Sequence, residues 1–103
     1  MIHGTVEGRL DGKPELVLIE DGRLFVTVKV ITSRHAEDGS PIPGVITEVV
    51  TCKQDVMDAL MALEGGASVC LAGEIEPSVF ARRGQPPLLG LTMWPDEIRK
   101  AVH

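Results

Sequence analysis

The stretch "LFVTVKV", from Leu24 to Val30, constrains the fold more than any other feature of the chain. Leu24, Val26, Val28 and Val30 fall on one face of an extended strand, and Phe25, Thr27 and Lys29 on the other. The residues are mostly β-branched, which favours a pleated, half-buried surface. The same period of two recurs in "ITEVVTC" (Ile46 to Cys52) and "ASVCLAGEIE" (Ala67 to Glu76). In the second of these, Val69, Leu71, Gly73 and Ile75 alternate with Ser68, Cys70, Ala72 and Glu74. "LLGLTMW" (Leu88 to Trp94) is a further strand, with Leu89, Leu91 and Met93 expected to face inward. "MIHGTVEGRL" opens the chain as a first strand, where Gly4 and Gly8 suggest a bulge or bend.

One segment changes period. "QDVMDALMALEGG" places Val56, Met57, Leu60, Met61 and Leu63 on one helical stripe. Asp55 and Asp58 lie near its start, where the helix dipole favours negative charge, and Gly65 and Gly66 supply a stop. Met57 and Met61 are expected in the core. "EDGR" (Glu20 to Arg23) carries an Asp-Gly hairpin signal. "RHAEDGSPIPG" (Arg34 to Gly44) and "ARRGQPP" (Ala81 to Pro87) are expected as loops. "WPDEIRKAVH" is expected to close the chain with a short helix, since Pro95 suits a first helical position.

A length of 103 residues suits one domain, spanning 1–103. Three strands, a helix and two strands describe an all-β domain with one helix: a five-stranded Greek-key barrel of the OB type, with the helix between strands three and four. The connection between strands four and five then projects as an arm.

Aromatic residues number only three, Phe25, Phe80 and Trp94, and the formal net charge is −5. The acidic balance counts against a broad electrostatic grip on nucleic acid, but ten Lys and Arg can still share one face. The only Arg-Arg pair, Arg82 and Arg83, sits two residues beyond Phe80 on the expected arm. No apolar run is long enough to span a membrane, and the N-terminus lacks a basic patch followed by a long apolar stretch. A cytoplasmic location follows as the expectation. Cys52 and Cys70 lack metal-ligand spacing and are expected as reduced thiols, buried like small hydrophobes. His3, His35 and His103 have no evident carboxylate or cysteine partner. With no phosphate-cradling glycine motif and no nucleophile elbow, neither an enzyme nor a bound cofactor or metal is expected.

Three stretches resemble the bacterial single-stranded DNA-binding proteins or a primosomal relative within the same OB group. "MIHGTVEGRLDGKPEL" is similar to that family's opening strand and short loop, "TEVVTCKQDVMDAL" to its third strand leading into the helix, and "LEGGASVCLAGEIEP" to its fourth strand. The resemblance covers about residues 1 to 94. It implies sequence-independent binding of single-stranded DNA by a dimer or tetramer, in replication, repair, recombination or plasmid maintenance, with replication or recombination proteins as further partners. One family aromatic on the arm matches Phe80. Other family stacking positions fall near Arg34, Ile46 and Cys52, which are not aromatic.

Single-strand binding needs flat groups for bases and cations for phosphates. Phe80, Arg82 and Arg83 offer both on one arm, and Arg34, Lys29 and Lys53 are further candidates for phosphate, with Trp94 a second candidate for a base. Each has a plain alternative. Phe80, Phe25 and Trp94 can anchor a subunit contact, and the basic residues can be solvated surface charge. The alternative for the whole chain is an OB-fold interaction or assembly module with weak or no nucleic-acid binding.

Overall fold

A computed structural model describes residues 2–35, 37–38 and 41–100, with the backbone alone at 33–35, 41–43 and 100. The element order is β1 (Ile2–Leu18), β2 (Leu24–His35), β3 (Pro41–Thr51), α1 (Gln54–Met61), β4 (Ser68–Arg82) and β5 (Gln85–Lys100). The strands close into a barrel in the order β1-β2-β3-β5-β4. All pairs are antiparallel except β3 with β5, which run parallel from Thr47 opposite Leu91 to Val49 opposite Met93. This is the five-stranded OB barrel expected from the sequence, with the helix between the third and fourth strands.

Closure depends on β1 serving two neighbours. Its first half pairs with β4, from Ile2 opposite Ile75 to Arg9 opposite Ser68. Its second half pairs with β2, from Arg9 opposite Ile31 to Leu18 opposite Leu24. At the changeover sits Gly8, where a β-carbon would lie 2.9 Å from the Ile31 carbonyl carbon and 3.0 Å from Val30. Only a bare α-carbon admits so close a backbone approach. The bulge itself falls later, between Asp11 and Glu15.

The core is aliphatic. Val6, Leu10, Val26, Val28, Val30, Val49, Val69, Leu71 and Met93 point into the barrel, and α1 adds Val56, Met57 and Leu60. Without large rings, the space is filled by branched side chains with few rotamers, which suits a narrow barrel. The amide of Lys53, the residue before α1, is held by Thr51 Oγ1 at 3.2 Å. Asp55 sits in the first turn. The helix stops at Ala62, earlier than the glycine pair suggested, so Met61 is exposed rather than packed. Gly66 serves the following turn instead, at a φ of +84°.

Four further expectations change. Most of 34–44 is not a loop: Arg34 pairs with Ile42 and His35 with Pro41, extending the β2–β3 hairpin. The arm is likewise a continuous hairpin, with Arg82 opposite Gln85 and only Arg83 and Gly84 at the turn. The C-terminal segment forms no helix in its described part. β5 runs through to Lys100, and Pro95 is accommodated at a register shift that sets it opposite Gly73 and Glu97 opposite Ala72. Residues 101–103 lie outside the description. Finally, Cys52 is exposed and Cys70 half-buried, so neither is a core residue. The Asp-Gly signal holds: Gly22, at φ +87°, closes the β1–β2 turn, where its amide donates to the Ile19 carbonyl.

Among the described residues no helix is long and apolar enough to cross a membrane. One core group is left unpaired: Thr47 is fully buried, and its Oγ1 has no hydrogen-bond partner among the described residues. Thr47→Val keeps the shape and removes the desolvated hydroxyl. It is expected to stabilise the fold by about 1 kcal/mol, raising Tm by roughly 4–8 °C in thermal unfolding.

Candidate nucleic-acid interface

Beyond the barrel, β4 and β5 continue as the arm. Its pairing runs from Ser78 opposite Gly90 to the turn at Arg83 and Gly84, where Gly84 takes a φ of +74°. Near the tip the register shifts between Phe80 and Arg82, so that Ala81 faces the Pro86–Pro87 pair. Prolines cannot donate to a ladder, and a bulge is where a hairpin tolerates them. The carbonyl of Pro86 instead accepts two hydrogen bonds from Arg82, from Nε at 3.1 Å and Nη2 at 2.8 Å. Arg82 thereby braces the tip and lies stretched across it, while Arg83 is exposed at the turn.

Phe80 is half-buried, and its ring lies over Gly90. A β-carbon at Gly90 would collide with the ring, 3.0 Å from Cδ2, and with the Ile46 carbonyl oxygen at 2.5 Å. The bare glycine is what admits the ring against the root of the arm. On the other side, Lys29 Nζ stands 5.9 Å from the ring centroid, within cation–π range. Strand alternation places Lys29 on the outer face of β2, and the fold brings that face to the arm. The sequence named both residues, but their contact depends on the closure of the barrel.

Beside this pair lies a groove of 360 Å³ lined by Asp11, Lys13, Glu15, Thr27, Val28, Lys29 and Glu48. Its charges are mixed, with three carboxylates against two ammonium groups.

The other candidates fall elsewhere. Lys53, at the start of α1, forms an ion pair of 2.7 Å with Asp96. Asp96 is the extra residue where the β4–β5 register shifts, and it lies six residues beyond Gly90, about 20 Å along β5. Trp94 is 40 % exposed in a separate groove with Glu74 and Glu76. The register sets it opposite Glu74, whereas Phe80 is opposite Leu88. Phe80 and Lys29 are thus in contact, with Arg82 and Arg83 two and three residues further along the same arm, while Lys53 pairs with Asp96 and Trp94 lines the groove with Glu74 and Glu76. The side chain of Arg34 lies outside the described residues.

Comparison with known proteins bears on the fold. No family model and no curated protein matches the sequence. Solved structures do match. A small single-stranded DNA-binding protein from Streptomyces coelicolor superposes with a TM-score of 0.73 at 16 % identity, over 98 % of this chain and 94 % of that one. The Plasmodium falciparum SSB in complex with ssDNA gives 0.64 at 13 % identity, over 96 % and 91 %.

Two predictions follow from the geometry. Gly90→Ala should displace the Phe80 ring and destabilise the arm root by about 1–3 kcal/mol. The readouts are a lower Tm and loss of the ring-current shift on the Lys29 side-chain methylenes. Unchanged Lys29 resonances in a folded variant would contradict the stacked geometry. The second concerns pH. The hydrogen bond from Lys53, then its charge, holds the Asp96 carboxyl below the ordinary carboxylate range. A carboxyl lowered on folding stabilises above its unfolded value, about 3.9, and that contribution fades as pH falls through the folded value. Asp96→Asn should therefore lower Tm at pH 6 and converge with the parent at the acid end of a pH series.

The architecture and these matches together show that the chain is built on the OB fold shared by single-stranded DNA-binding proteins.

Proposed function

We infer that this protein binds single-stranded DNA without sequence preference, using the arm and the adjoining outer face of β2. The observation that carries the reading is the Phe80 ring held over Gly90 with Lys29 beside it. A base stacks on the ring, and Lys29, Arg82 and Arg83 receive the flanking phosphates. Arg82 keeps its contact with Pro86 and offers its remaining N–H groups. That both structural neighbours are single-stranded DNA-binding proteins supports the same reading.

The geometry also sets the expected strength. One ring and a handful of cations hold a short length of strand, and Asp11, Glu15 and Glu48 keep the phosphate track from spreading across the outer face. Several copies acting together would multiply such weak sites. Apolar side chains suited to an assembly are available. Leu16, Leu18 and Leu24 sit where the β1–β2 hairpin outruns the barrel, and Val79 and Leu89 sit on the opposite face of the arm from Phe80. Phe25, half-buried on the outer face of β2, adds a ring to that supply. We place the protein in the cytoplasm as a dimer or tetramer, serving replication, repair, recombination or plasmid maintenance. The second reading, an assembly module with little nucleic-acid binding, draws on the same exposed apolar side chains and on the acids of the outer face.

Titration of labelled oligo-dT at several salt concentrations separates the two. Three phosphate contacts give a slope of log K against log salt of about −2. Phe80→Ala is expected to cost about 1–3 kcal/mol, the worth of one stacked base. Arg82→Ala with Arg83→Ala should flatten the salt slope. Trp94, the only Trp, should keep its emission unchanged as DNA binds. Absence of binding at micromolar protein and low salt would leave the assembly reading standing.

A further inference from the structure

At the root of the arm, along the β1-side edge of β4, a groove of 440 Å³ is lined by Ile2, Glu74, Ile75, Glu76, Pro77 and Trp94. It forms where β4 loses a neighbour. The β1–β4 pairing extends only to Ile2 opposite Ile75, while β4 runs on to Arg82. From Glu76 onward, no described residue of β1 pairs with β4. Pro77 marks that change, since a proline inside a strand is tolerated where its missing N–H faces an unpaired edge.

Two chemistries meet along this edge. Strand alternation puts Ile75 and Pro77 on the inner face and Glu74 and Glu76 on the outer face. Ile2, opposite Ile75, joins the apolar side, and Trp94, opposite Glu74, joins the acidic side. The nearest basic groups do not neutralise the acids. His3 Nε2 stands 3.9 Å from Glu74 Oε1, at the outer limit of ion-pair range, and both side chains are open to solvent. Lys53 is engaged by Asp96. Glu76 has no ion-pair partner among the described residues. Phosphates would be repelled here, so the groove is no continuation of the proposed DNA path.

We propose that this groove docks an extended segment of a partner protein in which basic and apolar residues alternate. An extended chain laid along an edge sends successive side chains to opposite faces. In one register its apolar residues cover Ile2, Ile75 and Pro77. Its basic residues then meet the carboxylates of Glu74 and Glu76, and a guanidinium stacks on the half-exposed indole of Trp94. Charge and apolarity thus select the same occupant, and alternation fixes which residues go where. The site is independent of the DNA reading and remains meaningful if that reading fails.

Trp94 reports on the groove directly. The full chain is titrated with the pentapeptide Lys-Val-Arg-Val-Lys, with its scrambled form Lys-Lys-Arg-Val-Val, and with Glu-Val-Glu-Val-Glu. The alternating basic peptide is expected to give a saturable change in Trp94 emission. The scramble, equal in charge and composition, should bind at least about fivefold more weakly, and the acidic peptide not at all. Glu74→Gln with Glu76→Gln, isosteric substitutions at a half-buried and an exposed position that leave the barrel folded, should remove the preference for basic peptide. Amide shifts should be confined to Ile2, residues 74–76 and Trp94. Equal binding of the scramble would reduce the effect to bulk electrostatics and overturn the proposal. So would an unresponsive Trp94, or an emission that shifts with protein concentration alone, which would mean that a second copy covers the groove.

Discussion

The structure depends on one strand being shared by two neighbours. β1 pairs with β4 along its first half and with β2 along its second, and the changeover at Gly8 brings the backbones of β1 and β2 too close for any side chain. Thr32 reinforces the junction, its hydroxyl donating to the Glu7 carbonyl at 3.1 Å. With β1 shared in this way the sheet has no loose end within the barrel, and the edge-strand problem is solved by closure. The consequence for function is geometric. β4 and β5 are longer than the barrel needs, and their surplus leaves it as a paired hairpin. That gives the molecule a longest dimension of 48 Å and a radius of gyration of 14.2 Å, above the roughly 13 Å of a compact chain of this length.

The barrel was legible because its signal is local. Alternation in Leu24 to Val30 and in Val69 to Ile75 is set by which face each residue must bury, and Val26, Val28, Val30, Val69 and Leu71 are all buried. The helix was legible for the same reason, through Val56, Met57 and Leu60. What alternation cannot report is how far a strand outruns its neighbours. Leu89 shares a face with Met93, as the pattern says, yet it is 77 % exposed because the arm has left the barrel by that point. The exposed Leu24 has the same explanation at the end of the β1–β2 hairpin. Pro95 misled for a different reason. Its fixed φ suits a helix start as well as a bulged strand, and the choice was made by a partner 22 residues upstream, Gly73, whose bare α-carbon admits it.

The candidate site was half legible. Phe80, Arg82 and Arg83 are neighbours in sequence, so a reading of the arm finds them together. Lys29 could be placed on an outer face, but not beside Phe80, because that contact spans the barrel. Lys53 and Trp94 were drawn in by residue type alone. Lys53 forms an ion pair with a carboxylate at a β-bulge, and Trp94 lines a groove with two glutamates.

A net charge of −5 suggests a uniform repulsion of DNA, but the charge is sorted along a single hairpin. Arg82 and Arg83 occupy its tip, and Glu74 and Glu76 its root, separated by six residues of rise between Glu76 and Arg82. At physiological ionic strength, charges interact strongly only within about 8 Å, so two ends some 20 Å apart act as separate surfaces. A polyanion meets the tip without much penalty from the root, and a basic segment meets the root without much penalty from the tip. The arm can therefore carry two opposite electrostatic preferences at once, provided that it stays extended, and the pairing from Ser78–Gly90 to Phe80–Leu88, resumed past the bulge at Arg82–Gln85, is what keeps it so.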